Sequence, residues 1–112
     1  MALLATQTIS VLGITPAYSA AAGGGDTFTP TDRTYVHIKN GGGGSITATI
    51  VTPGEAAPNI PIADVAVVVA NGAEAIIGPF PAGLFQSAST GLASITYSGV
   101  TSVTVGCFRL GT

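Results

Sequence analysis

Residues 32–52 read DRTYVHIKN-GGGG-SITATIVT: two strand-like runs on either side of four glycines, Gly41–Gly44. Thr34–Lys39 alternates, with Val36 and Ile38 on one face and Tyr35, His37 and Lys39 on the other. Ser45–Val51 alternates as well, placing Ile46, Ala48 and Ile50 inward and Thr47, Thr49 and Val51 outward. Asn40 opens the link, and Asn40–Gly44 tolerates positive φ. Period-two patterning on both arms of a Gly-rich link predicts a β-hairpin, the central one of a small β-sandwich.

Outward from this stretch the chain keeps strand chemistry. Asp64–Ala70 is Val-rich and apolar on both faces, which predicts a central or doubly covered strand. Asn71-Gly72 predicts a two-residue hairpin turn into Glu74–Ile77. Gly78-Pro79-Phe80-Pro81 predicts a corner, with Phe80 plugging the end of the core. Leu92–Ser98 predicts a further strand, with Ile95 and Tyr97 on one face. Ser102–Leu110 predicts the last, its inward parity shifting from Val103-Val105-Cys107 to Phe108-Leu110 across a bulge near Gly106. Upstream, residues 2–15 read as an edge strand or extended arm, and 17–25 as a Gly-rich crossover. The expected architecture is all-β: a single small antiparallel sandwich or jelly-roll of about seven or eight short strands. Residues 1–25 form the arm and crossover, and 26–112 the sandwich domain.

Composition agrees with that class. The 112 residues suffice for one core. Gly and Pro number 16 and 7, enough to punctuate many short strands. Charged residues are only 7%, where ordinary domains have about 25%. With a net charge of -2, the exposed faces must be largely Thr, Ser, Ala and Gly, a surface suited to life inside a large assembly. A glycan coat is the competing explanation, but Asn40, Asn59 and Asn71 start no Asn-x-Ser/Thr site. Three basic residues, Arg33, Lys39 and Arg109, are too few to track a phosphate backbone, so nucleic acid is excluded as a partner. The N-terminal stretch lacks a basic region and is broken by Thr6, Gln7, Thr8 and Ser10, so no signal peptide is expected. No run reaches the ~18 apolar residues of a membrane helix, and no membrane partner is expected.

Reactive chemistry is not expected. His37 with Asp26, Asp32 or Asp64 and a serine can be drawn as a triad, but no nucleophile-elbow motif accompanies them. A lone His on a strand face reads as a polar outward residue. Gly41–Gly44 lacks the Lys of a phosphate loop and no helix follows it. Asp64 and Glu74 flank one predicted hairpin, but without Trp and with few aromatics there is no sugar platform. The five carboxylates show no calcium-loop spacing, and Cys107 reads as a buried small hydrophobe. The chain is therefore expected to be no enzyme, with no catalytic, cofactor-binding or metal-ligating set.

One resemblance bears on function. The order GGGDTF, then DRTYVHIKNGGGGSITATIVTPG, then NGAEAIIGPFPAGLF and a closing ITYSGVTSVTVGCFRL is similar to small structural proteins of tailed bacteriophages. These are capsid decoration (cement) proteins or other minor head proteins built of one β-sandwich. The resemblance runs from about Asp26 to Leu110 and is most specific at Tyr35–Asn40 and Ile77–Phe80. It implies a virion structural protein on the capsid exterior, bound to the major capsid protein and to neighbouring copies of itself, with trimers fitting symmetric clustering. Head–tail connectors, tail components and receptor- or carbohydrate-binding sandwiches are the alternatives, and an enzyme is third. A pocket holding His37 with a carboxylate in hydrogen-bond reach would favour the last.

Overall fold

Strand-forming Val, Ile and Thr and the Gly/Pro breaks divide the chain into short strands. The computed structural model describes residues 2–53, 55–87 and 90–111; Met1, Gly54, Ala88, Ser89 and Thr112 lie outside them. In order the elements are β1 (Ala2–Leu3), β2 (Thr6–Ile9), β3 (Ser19–Ala20), β4 (Asp26–Phe28), β5 (Thr34–Asn40) and β6 (Ile46–Ile50). They continue with β7 (Glu55–Ala57), β8 (Ile60–Pro61), β9 (Val65–Val69), β10 (Glu74–Ile77), α1 (Ala82–Phe85), β11 (Ala93–Tyr97) and β12 (Val103–Leu110). One sheet runs β1-β4-β11-β6-β9. The other runs β10-β5-β12-β2, with β3 also on β12. β7 and β8 form a separate ribbon. The two sheets make the expected all-β sandwich. Its core includes Phe28, Val36, Ile38, Ile50, Ile95 and Val105, all shielded from water.

The residues 32–52 do not form a hairpin. β5 belongs to one sheet and β6 to the other, so Gly41–Ser45 is an arch across the core. The inward residues are as expected: Val36 and Ile38 are buried, and so are Ile46, Ala48 and Ile50. Alternation dictates which side chains face the core, and that is the same whether two strands lie side by side or oppose each other across it. Gly41–Ser45 is long enough to span the roughly 10 Å between layers.

Asn40 fixes this arch. Its buried amide nitrogen donates to the Gly44 and Val69 carbonyls at 2.9 and 3.0 Å, and its oxygen accepts from Gly42 N–H at 3.0 Å. Its backbone N–H donates to the Ala73 carbonyl and its carbonyl accepts from Gly72 N–H. Gly42 is needed for space, since a Cβ there would lie 2.6 Å from the Thr101 carbonyl oxygen. Gly43 and Gly44 face open space.

Three further expectations change. Asn71-Gly72 does make a tight turn, with Ala73 N–H on the Ala70 carbonyl and Gly72 at φ 75°. The strands beyond it then part, β9 into one sheet and β10 into the other. β9 is not central. It is the last strand of its sheet, with Val69 buried but Val68 69% exposed. An all-apolar run therefore marked an edge strand here, because the run itself does not say how many neighbours it has. Finally, β12 has no bulge: it pairs with β5 in unbroken register from Val103↔Asn40 to Arg109↔Thr34. Phe108 stays on the outer face and is buried there because the N-terminal segment covers it. Gly106 records that crossing, since a Cβ would sit 3.1 Å from the Ala17 carbonyl oxygen and 2.9 Å from the Phe108 ring.

The corner forms as the sequence predicts. Phe80 is buried against Phe28 and Phe85, ring centroids 4.8 and 5.3 Å apart. Residues 2–20 lie along the sandwich. β1 pairs parallel with β4, β2 parallel with β12, and β3 antiparallel with β12. Leu4, between β1 and β2, is buried in the core.

Candidate functional site

The outer face of β5 presents Tyr35, His37 and Lys39, as alternation requires, and Glu74 enters from the neighbouring strand through the pairing Glu74↔Lys39. Residues 14–18 fold over this face. Tyr18 Oη lies 2.7 Å from His37 Nδ1, and His37 Nε2 lies 2.7 Å from Glu74 Oε1. Lys39 Nζ sits 4.0 Å from the centre of the Tyr18 ring, a cation–π contact. The same ring packs edge-on to His37 and tilted against Phe108, with centroids 5.4 and 5.7 Å away. Next to this cluster is an apolar cleft of about 300 Å³, lined by Ile14, Pro16, Tyr35, Ile76 and Phe108 with His37 and Tyr18.

A carboxylate thus reaches His37, but it is Glu74, which the sequence argument did not pair with it. Asp26, Asp32 and Asp64 are not brought to His37. Asp26 is wholly buried on β4, where its Oδ2 accepts from Tyr97 Oη at 2.7 Å and from Ala22 N–H at 3.3 Å. Asp64 Oδ1 accepts from Thr52 N–H at 2.9 Å, and Asp32 is exposed in a turn. Glu74 and Tyr18 were missed because one sits across a strand pair and the other on a distant segment. Tyr35, His37 and Lys39 sharing one strand face was the legible half of that signal.

The cluster can act as a clasp. Both ring nitrogens of His37 have a partner within hydrogen-bond distance, Tyr18 on one side and Glu74 on the other. Burial, with the Glu74 carboxylate adding to it, pushes the Tyr18 phenol above its ordinary 10.0 and keeps it protonated rather than nucleophilic. Glu74 is 56% exposed, so its pairing with His37 contributes little beyond orientation. Gln7 completes the fastening: its amide donates to the Ala17 carbonyl and accepts from Ala17 N–H, both at 2.8 Å. Cys107 is fully buried, and burial pushes its thiol above 9.0, away from thiolate chemistry. Among the described residues no three His, Cys, Asp or Glu side chains gather as a metal-binding group.

What the clasp holds out is the turn Ser10–Gly13. Gly13 N–H donates to the Ser10 carbonyl at 2.9 Å and Gly13 has φ 84°. Val11 and Leu12 at its tip are fully exposed, the two most exposed large hydrophobic side chains described. Compared with family models, curated proteins and solved structures, the chain matches none.

Proposed function

We propose that this chain is a virion structural protein, a capsid decoration (cement) protein that binds the major capsid protein on the shell exterior and reinforces the lattice. The carrying observation is the Val11-Leu12 tip. Two large apolar side chains stand in water on a turn anchored at both ends, by Gln7–Ala17 and by Tyr18–His37. Exposed apolar groups held rigidly are what a docking anchor requires, since little entropy remains to be lost on binding. The sparse charge supports the same reading, because faces rich in Thr, Ala and Gly pack against a neighbour without stranding ions. Cementing needs no reaction, only contact area repeated over the shell.

Residues 2–9 pair within both sheets and Leu4 lies in the core, so deleting residues 1–15 removes part of the sandwich. Substitution at the tip is the cleaner test. Val11→Ser with Leu12→Ser should leave circular dichroism and melting unchanged. It should weaken binding to empty heads by roughly a hundredfold or more, the scale of losing a pair of buried apolar anchors. Wild-type saturation of heads by this variant overturns the proposal.

One observation favours a second reading, an active site: the Glu74–His37–Tyr18 chain beside an apolar cleft. His37→Ala separates the two. The structural reading expects binding to heads to weaken as the Val11-Leu12 turn loses its Tyr18–His37 anchor, with no turnover to lose, and loss of a measured turnover would establish the other.

A further inference from the structure

β9 is an edge with none of the usual guards. Natural edge strands carry Lys, Pro, a bulge or a covering element to discourage pairing with other chains. Residues 65–69 read VAVVV, uncharged and without proline. Their ladder with β6 is regular from Ile46↔Val69 to Ile50↔Val65. Among the described residues no strand pairs with the outer side of β9.

The backbone orientation on that side follows from the pairing of β6 with its two neighbours. On β6, the Thr47 carbonyl accepts from Ser98 N–H and Val51 N–H donates to the Ser94 carbonyl, so the odd residues of β6 turn toward β11. Ile46, Ala48 and Ile50 therefore turn toward β9, and their partners Val69, Val67 and Val65 use their own backbone groups inward. That leaves Ala66 and Val68 with N–H and C=O directed to the open side.

We propose that β9 pairs with β9 of a second copy of this chain, antiparallel about a two-fold axis at Val67. This arrangement sets Ala66 opposite Val68 of the second copy, and Val68 opposite its Ala66. Those are the residues whose backbone groups point outward, so both pairs exchange N–H···O bonds. Val67 meets its own counterpart in a non-hydrogen-bonded pair. All facing side chains are apolar, and Val68, 69% exposed in the single chain, gains a neighbour. Charge selects the direction. Antiparallel pairing puts Asp64 opposite Ala70 of the second copy, whereas parallel pairing would line up two Asp64 carboxylates. An axis at Val68 would draw on Ala70, whose carbonyl already accepts from Ala73 N–H in the turn. The contact is isologous and closes, because each copy uses its one bare β9 edge and the far end of the sheet is β1. The inference goes beyond the capsid reading and does not depend on it.

The test uses the full chain without heads. Sedimentation equilibrium should show a reversible monomer–dimer system. The double substitution Ala66→Lys with Val68→Lys should raise the dimer dissociation constant by roughly tenfold or more, since like charges set directly opposite oppose strand pairing. Circular dichroism should not change. Ala66→Glu with Val68→Glu should behave alike, and an equimolar mixture of the two variants should regain the dimer. Under mild oxidation Val67→Cys should form a covalent dimer, while wild type, with only Cys107, and Val11→Cys should not. A wild-type chain that stays monomeric, a dimer untouched by the lysines, or a Val67→Cys chain that fails to cross-link overturns the proposal. If the lysine variant unfolds, the cross-link decides alone.

Discussion

The two flanks of the sandwich each include an uncharged edge strand, and they differ in what is folded over the surface beside them. On one flank, β1 and β2 belong to one short segment that pairs with β4 in one sheet and β12 in the other, with Leu4 inserted between the layers. The following residues are then clamped over the outer face by Gln7, Tyr18 and His37. On the other flank, β9 and β10 end their sheets, as β1 and β2 end them on the first, and among the described residues no strand pairs with their outer sides. TQTI in β2 and VAVVV in β9 are both uncharged strands. What differs is whether a later or earlier piece of chain returns to cover the neighbouring surface. An edge is thus a property of topology, and composition says only how strongly an open one would attract a partner.

The largest expected effect falls on the bare flank. Asn40→Ala removes the side-chain bonds that tie Val69, at the end of β9, to the Gly42–Gly44 arch. It should cost about 2–4 kcal/mol, given about 1 kcal/mol per net bond and more for each buried group left unpaired. Chemical denaturation measures this. A cost under half a kcal/mol would mean the arch holds itself together.

The next effect belongs to the covered flank. Tyr97→Phe leaves the buried Asp26 carboxylate without its shortest hydrogen bond and should cost about 1.5–3 kcal/mol near neutrality. It also changes the alkaline limb. Burial, then the Asp26 hydrogen bond and charge, raise the Tyr97 phenol above its ordinary 10.0. The folded chain therefore retains a proton that the unfolded chain releases. That stabilisation is complete below pH 10 and is lost as pH rises beyond it. Stability of the wild type should fall more steeply above pH 10 than that of Tyr97→Phe, and parallel curves would remove Tyr97 as the cause.

The smallest effect tests the clasp. Tyr18→Phe keeps the ring contacts with Lys39 and Phe108 but deletes the hydroxyl bond to His37. About 1 kcal/mol or less should be lost. Proteolysis between residues 10 and 17 should quicken while the bare flank keeps its protection from hydrogen exchange. Equal loosening on both flanks would show that the clasp is not local.

Much of this was legible. The inward sets on β5, β6 and β11, the Phe80 plug and the buried Cys107 all follow from period two and from small apolar residues between turn signals. The strand partners were not. Phe108 looked like a parity change because the segment that buries it, residues 14–18, is some ninety positions away in sequence. The cluster at His37 was half legible: Tyr35, His37 and Lys39 sharing a face came from alternation, whereas Glu74 and Tyr18 came only from register and from the returning segment.

The sequence by itself determined an all-β chain, the face each strand turns inward and the positions where the backbone must bend, because these depend on side chains within a few residues of one another. Only the tertiary structure decided that Gly41–Ser45 carries β5 and β6 into opposite sheets. The inward pattern of Val36, Ile38, Ile46, Ala48 and Ile50 is satisfied equally by a hairpin and by an arch, and the choice rests on Asn40, whose hydrogen bonds reach the Gly42–Gly44 link, the end of β9 and the Gly72-Ala73 turn at once.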